Sequence, residues 1–433
     1  MNFSQHVKEK LFKVIKDVAQ NSRLYCQNPE KDFTRNRKLP FEEMMRLILM
    51  MEGGSIKKEL LNYFEYDANT VTSSAFIQQR SKIKPEALEQ IFHSFNAKFT
   101  GEKLYKGYRL LACDGSDLIT ASNPNDKYHH YNHVEGFRTF NMIHFSALYD
   151  ILNRRYLDAV IQPGYSIDER GALVTMMSRL NSESPSIFIA DRGYGSYNIY
   201  AFAQENNINY IIRAKENNVH VLLEERGFDF NSDFDYIMDF QLTHYQGKEI
   251  KNQPKLYKHI SKKAFKYFDE NGFYPIRFRV VRIPLEEGSY EYIITNLPKE
   301  HFDTASLKEL YHLRWCIETS FRTLKYKIGL VNLHSKKAEH IKQEIFAKLT
   351  LFNFCEIITT HVLIQKKKRK HYYQLNLSVA ITICKYFLKY RGDKSPPDVE
   401  ALLQDELLPV RSDRKYPRKV KNKSPVSFIY RVS

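Results

Sequence analysis

Apolar residues change their spacing several times along this chain, and each change marks an element. Met44, Leu47, Ile48 and Met51 recur at the 3.6-residue period of a helix that Pro40 opens and Gly53-Gly54 stops. A second helix runs from about Ser55 to Tyr63, and Thr72 or Ser73 caps a third, SAFIQQRSKI. From Tyr108 the pattern shifts to short apolar runs. YRLLACD reads as a buried strand ending at Asp114, while Arg138 to Tyr149 and Arg154 to Val160 read as an antiparallel pair with a turn at Asp150. A helical stretch from Asp168 to Leu180 leads to the run IFIA, which ends at Asp191. A helix from about Tyr197 to Glu205 then precedes the strand NYIIRA.

Three strands, helix, strand, helix, strand is the order of a ribonuclease-H-like core, so the expected fold class is α/β built on such a core. Mixed sheets carry functional groups beyond the carboxyl ends of their strands, where Asp114 and Asp191 are expected. The β-branched and aromatic stretch from about Val219 to Asn296 reads as an inserted β-rich subdomain. Ser306 is then expected to cap a long helix, followed by two apolar helices around Ile345 to His361 and Leu375 to Leu388. The expected organisation is a helical DNA-binding region (1–105), the first part of the core (106–218), the insertion (219–298), the last core helix (299–335), and a helical C-terminal region with a basic tail (336–433).

The segment YHLRWCIETSFRTLK carries the densest chemistry. At 100° per residue, Tyr311, Arg314, Glu318 and Lys325 fall within about a 60° arc of one helix. Leu313, Ile317 and Leu324 lie on the opposite side, giving an apolar docking face and a polar face with a carboxylate among cations. Standing alone, that face also fits a solvated surface stapled by ion pairs.

Composition narrows the partner. The chain is 43% apolar and 27% charged, as a folded protein is, and its formal charge of +16 makes a polyanion the expected partner. From His361 onward, 17 Lys and Arg stand against 6 Asp and Glu, densest in KKKRK at 366–370 and from Arg411 to Lys423. Neither cluster adjoins an amphipathic or lipidated element, and no apolar run is long enough to span a bilayer, so no membrane partner is expected. Nothing at the N-terminus reads as a signal peptide. Cys26, Cys113, Cys316, Cys355 and Cys384 show no CxxC spacing, which points away from zinc and disulfides and toward a reducing cytoplasm. The short N-terminal helices with a basic third member, carrying Gln78, Gln79, Arg80, Lys82 and Lys84, are similar to a helix-turn-helix; a plain helical domain has the same pattern.

Phosphodiester cleavage with hard divalent cations needs carboxylates converging from separate elements. Asp114, Asp191 and Glu318 supply such a set without histidine or cysteine. Asp117 follows three residues after Asp114 and reads as a loop or cap residue. Gly193 and Gly195 make a turn, not a nucleotide-binding fingerprint. His129, His130, His133 and His144 fit no zinc spacing. Arg213 and Lys215 face either DNA or solvent.

These residues together resemble the DDE superfamily, in its branch of cut-and-paste bacterial insertion-sequence transposases with a Y-x2-R-x3-E-x6-K signature. Tyr311, Arg314, Glu318 and Lys325 match every spacing of that signature, and Trp315 and Phe321 match its RW-x-IE-x-x-F wording. Asp114-Gly115, the Asp-Arg-Gly-Tyr run from Asp191 to Tyr194, and TNLP at 295–298 are similar as well. The resemblance runs from about Pro40 to Lys325 and more loosely beyond.

What the resemblance implies is a metal-dependent nuclease and strand transferase. Asp114, Asp191 and Glu318 would hold two Mg²⁺ ions, with Mn²⁺ as a substitute. Lys325 would hold phosphate, and Arg314 would fix Glu318 or touch the DNA backbone. Arg192 would clamp phosphate or pair with an acid, Trp315 would stack beside an opened base or pack, and Tyr311 would bond phosphate or pair with Arg314. The implied partners are double-stranded DNA at inverted-repeat ends, target DNA, and a second copy of the chain in a synaptic complex. The implied location is the nucleoid-associated bacterial cytoplasm. A nuclease without strand transfer, or a non-catalytic DNA-binding relative, shares parts of the same pattern.

Overall fold

The computed structural model of the protein describes residues 2–35, 37–99, 103–131, 139–180, 183–230, 233–285, 288–362, 373–391 and 395–409. The KKKRK run, His133, and the basic tail from Arg411 lie outside the described residues. The N-terminal region is built from α1 (Phe3–Gln20), α2 (Phe41–Met50), α3 (Ile56–Tyr63), α4 (Ser73–Arg80) and α5 (Glu86–Asn96). Pro40 stands at the N-cap of α2, where a missing N–H costs nothing. The Ser55 and Thr72 side chains accept from Lys58 N and Ala75 N, satisfying amides that the first turns of α3 and α4 leave open.

The basic face expected of the third helix is only partly on the surface. Gln79 and Arg80 are buried. Arg80 donates from Nε to Gln343 Oε1 at 2.8 Å, from Nη1 to Glu344 Oε1 at 2.9 Å, and from Nη2 to the His340 carbonyl at 2.6 Å. All three acceptors lie on α12 (Ala338–His361), so this arginine ties the N-terminal helices to the C-terminal region.

The central elements are β1 (Arg109–Thr120), β2 (His130–Tyr131), β3 (Phe140–Asp150), β4 (Arg155–Pro163), α6 (Glu169–Arg179), β5 (Ser186–Ala190), α7 (Tyr197–Glu205), β6 (Asn209–Ala214) and α8 (Glu216–Glu224). Then come β7 (Asp235–Thr243), α9 (Lys248–Lys251), β8 (Tyr257–His259), β9 (Phe273–Pro284) and β10 (Tyr290–Thr295). All ten strands join one sheet in the order β2-β3-β1-β5-β6-β10-β9-β7-β8, with β4 also on β3. β3 pairs antiparallel with both β1 and β4, and β5 and β6 run parallel to β1.

One expectation changes here. The strand expected to end at Asp114 continues to Thr120, and Asp114 pairs with Ala147 in the middle of the ladder with β3. Gly115-Ser116-Asp117 reads locally as a turn, but the eleven-residue, wholly buried β3 offers hydrogen-bond partners along its full length. The β-rich stretch after residue 219 forms no separate sheet among the described residues. β10 pairs antiparallel with β6, so its strands extend the central sheet.

Strand alternation divides the packing between the two faces. Leu110, Ala112 and Leu118 of β1 join a core with the N-terminal helices and α12, whereas Leu111 and Cys113 join one with α6, α7 and α8. Cover on both faces explains the continuous apolar runs YRLLAC and SIFIA.

After β10 come α10 (Thr304–Leu313), α11 (Trp315–Arg322), a π-helical segment (Thr323–Ile328) and α12, then β11 (Tyr373–Leu375), α13 (Leu377–Lys389), α14 (Val399–Asp405) and β12 (Leu407–Pro409). Asp303, not Ser306, caps α10; its carboxylate accepts from Ser306 N at 2.8 Å. The single long helix expected here is interrupted at Arg314 and again by the wider π turns, which end on Gly329 at φ 96°. No described helix is long and apolar enough to cross a membrane.

Candidate active site

Asp114 shares strand parity with Leu110, Ala112 and Leu118, so it points to the side of the sheet whose core also takes in Ile317 and Phe321 of α11. Its Oδ1 accepts from Gly115 N at 2.9 Å, and its Oδ2 lies 3.6 Å from Arg314 Nη1. Asp191 follows the last residue of β5, the parallel neighbour of β1, and its Oδ1 accepts from Gly193 N at 2.7 Å. Glu318 lies in the first turn of α11, with Oε1 3.1 Å from Arg314 Nη2. Burial, with added repulsion from Asp191 and Glu318, pushes the Asp114 carboxyl up to about 6 despite Gly115 and Arg314.

Arg314 is buried, at 5% exposure, and its guanidinium bridges Asp114 and Glu318. Its carbon lies 5.8 Å from the Tyr311 ring centre and 4.9 Å from that of Trp315. Tyr311 is itself buried beside the Arg314 guanidinium, the geometry of the expected alternative in which it pairs with that arginine. Trp315 is 46% exposed. Lys325 donates from Nζ to the Asp117 carbonyl at 2.8 Å, and Arg192 is exposed in the turn after Asp191. Arg213 lies 3.3 Å from Glu291.

A second cluster lies on the opposite face of β1. His144 on β3 places Nδ1 2.7 Å from Asp117 Oδ1 and Nε2 3.2 Å from Glu169 Oε1 at the start of α6. Burial lowers the proton affinity of His144, but the hydrogen bond to Asp117 and the adjacent Glu169 carboxylate outweigh it and raise the ring to about 9. Asp117 is therefore a strand residue within a charged chain, not a loop residue. A Cβ at position 115 would lie 2.2 Å from Glu169 Oε1 and 2.5 Å from His144 Nε2, so only glycine leaves room for this pairing. Glu169 escaped sequence reasoning, and the glycine beside Asp114 was the one local trace of it.

The donor chemistry of Asp114, Asp191 and Glu318, oxygen ligands from separate elements, fits a hard divalent cation. Among the described residues, no three acidic, histidine or cysteine side chains already converge at ligating distance. Arg314 supplies positive charge between two of the three.

The model of the transposase DDE domain matches residues 105–354, more than half of the 433-residue chain. The chain belongs to the DDE transposase family. The matched DDE domain contains all three acids and Arg314. Over 65 residues the chain is 35% identical to a putative transposase InsL for insertion sequence element IS186A of Escherichia coli K12, covering 15% of this chain and 18% of that protein. The transposase for insertion sequence element IS421 of Escherichia coli matches with the same figures. The chain thus spans about a fifth of the length of these curated relatives. A solved structure of the piggyBac transposase synaptic complex with hairpin DNA superposes with a TM-score of 0.44 and 10% identity, over 88% of this chain and 77% of the other.

Proposed function

We propose that this protein is a cut-and-paste DNA transposase that hydrolyses a phosphodiester at each element end and joins the released 3′-hydroxyl to target DNA. The observation that carries this reading is the Arg314 bridge between Asp114 and Glu318, 3.6 and 3.1 Å away, inside a matched DDE domain. Two metal ions, Mg²⁺ or Mn²⁺, held by Asp114, Asp191 and Glu318 would supply charge for activating the nucleophile and stabilising the leaving oxygen. The order β4-β3-β1-β5-β6, with the first three strands antiparallel and the others parallel, supports a ribonuclease-H-like core.

The residues divide the work by position. In the first step water attacks phosphorus and the 3′-oxygen leaves; in the second that 3′-hydroxyl attacks a target phosphodiester, whose own 3′-oxygen leaves. Both are in-line substitutions, so positioning and charge stabilisation serve them alike. Arg314 orients the Asp114 and Glu318 carboxylates, with Tyr311 packed behind it. Lys325, one bond from β1, and exposed Arg192 flank the acids as phosphate contacts, and the exposed Trp315 ring offers a stacking surface beside an opened base. Inverted-repeat ends and target DNA are the substrates, a homodimer holds two ends together, and the bacterial nucleoid is the place of action. Residues 1–105 and the basic tail act as DNA-binding arms around a core of residues 106–335 and its β-rich extension.

The test is cleavage and joining of DNA bearing the element's own ends, with Mg²⁺ present. Asp191→Asn should bind that DNA and leave it intact. Wild-type cleavage by this variant would overturn the assignment, and cleavage by the parent without joined product would reduce the function to a nuclease.

A further inference from the structure

Beyond the acids, a groove of about 690 Å³ opens between the segment after β1, the end of β4 and the start of α12. Lys127, Lys337 and Lys342 line it together with Asn123 and the 69%-exposed Tyr128. Its acids are largely engaged: Asp126 lies 3.0 Å from His129 Nδ1, and Glu339 lies 3.9 Å from Lys342. Among the described residues, neither Lys127 nor Lys337 has an ion-pair partner. The 24-residue α12 starts in the groove and adds the positive end of its dipole to those cations.

The groove lies on the same side of the sheet as Asp114. Ile161, on its wall, packs against the core that contains Leu110 and Leu118, the β1 residues of Asp114's parity. β1 connects the two places directly, because Thr120 is its last residue and Asn123 stands at the groove. Six residues of strand rise about 20 Å at ~3.3 Å each, and the three residues on to Asn123 add up to about 10 Å more. Phosphates of one DNA strand recur about every 3.4 Å along the duplex axis, so an offset of this length along that axis is roughly six to nine nucleotides.

We propose that this groove binds backbone phosphates of duplex DNA roughly six to nine nucleotides from the reacting phosphate. Lys127 and Lys337 neutralise charge, Asn123 donates amide hydrogens, and Tyr128 lies against the sugar edge. The assignment rests on the transposase reading for the identity of the polyanion. The phosphates belong either to the element end or to the target, and the register distinguishes them.

The experiment measures DNA affinity of the full chain against salt concentration for Lys127→Ala/Lys337→Ala, for the matching Arg pair, and for Lys262→Ala/Lys263→Ala on exposed positions elsewhere. The Ala pair should lower the log–log salt slope by about two, the Arg pair should keep it, and the distant pair should change it less. Neutral methylphosphonates placed roughly six to nine nucleotides from the cut should weaken the parent and leave the Ala pair indifferent. Sensitivity only on end DNA, or only on target DNA, identifies which duplex lies there. An unchanged slope in the Ala pair, or an equal fall in the distant pair, overturns the groove assignment. Failure of the parent to cut DNA is a separate result, which overturns the transposase reading.

Discussion

Lys325 Nζ donates to the main-chain carbonyl of Asp117 at 2.8 Å, tying the π-helical segment after α11 to the strand that carries Asp114. The bond joins two parts of the site that are 208 residues apart in the chain. Displacement of either part is thereby coupled to the other, and the carboxylate of the same Asp117 continues the linkage to His144.

Arg314 holds two carboxylates that otherwise repel. Arg314→Met should lower stability by about 1–3 kcal/mol, less than for a fully buried pair because both acids are partly exposed. Mg²⁺ should then raise the melting temperature of the variant more than that of the parent, since the cation relieves the charge the arginine no longer offsets. Thermal unfolding with and without Mg²⁺ checks this, and equal shifts would argue against a shared acidic site.

Gly115→Ala should break the contact between His144 and Glu169, since the new methyl would lie within 2.5 Å of both side chains. Glu169 is long enough to swing away, so the cost should stay at about 1–2 kcal/mol. Chemical denaturation measures the cost, and His144 should titrate closer to its ordinary 6.5 in the variant.

The same cluster sets a pH dependence. His144 sits at about 9 in the fold against an ordinary 6.5, so its contribution is full below about 6.5 and is lost as pH rises through about 9. The partly exposed Glu169 reduces that contribution to an order of ~2 kcal/mol. His144→Gln should flatten the stability profile across that window; an identical slope in parent and variant would refute the linkage.

Arg80→Met should cost about 3–5 kcal/mol, because Glu344 would remain buried without its guanidinium. Burial raises the Glu344 carboxyl, but Arg80 and His334 outweigh it and lower it to about 2. Adding Glu344→Leu should recover part of the loss. Urea unfolding of the single and double variants decides whether the pair acts as a unit.

The local parts of the fold are legible because short-range physics creates them. Ser55, Thr72 and Asp168 cap helices where the apolar period begins, and Tyr197–Glu205 and Asn209–Ala214 form the helix and strand expected of them. Gly-Ser-Asp has the composition of a turn, so Asp117 reads locally as a loop residue, whereas its strand conformation depends on pairing with β3. The helical arc of Tyr311, Arg314, Glu318 and Lys325 assumes an unbroken helix. A break at Arg314 and the π turns around Lys325 place these side chains differently.

Periodicity, capping and motif spacing are enough to nominate Asp114, Asp191 and Glu318 as candidate acids on two strands and a helix, since each depends on neighbours within a few residues. The bridging of Asp114 and Glu318 by a buried Arg314, the Asp117–His144–Glu169 chain and the extension of the sheet through β10 emerge only from folding. Each joins segments tens or hundreds of residues apart. Their geometry depends on strand register and on packing against a common core, and neither is contained in a local pattern.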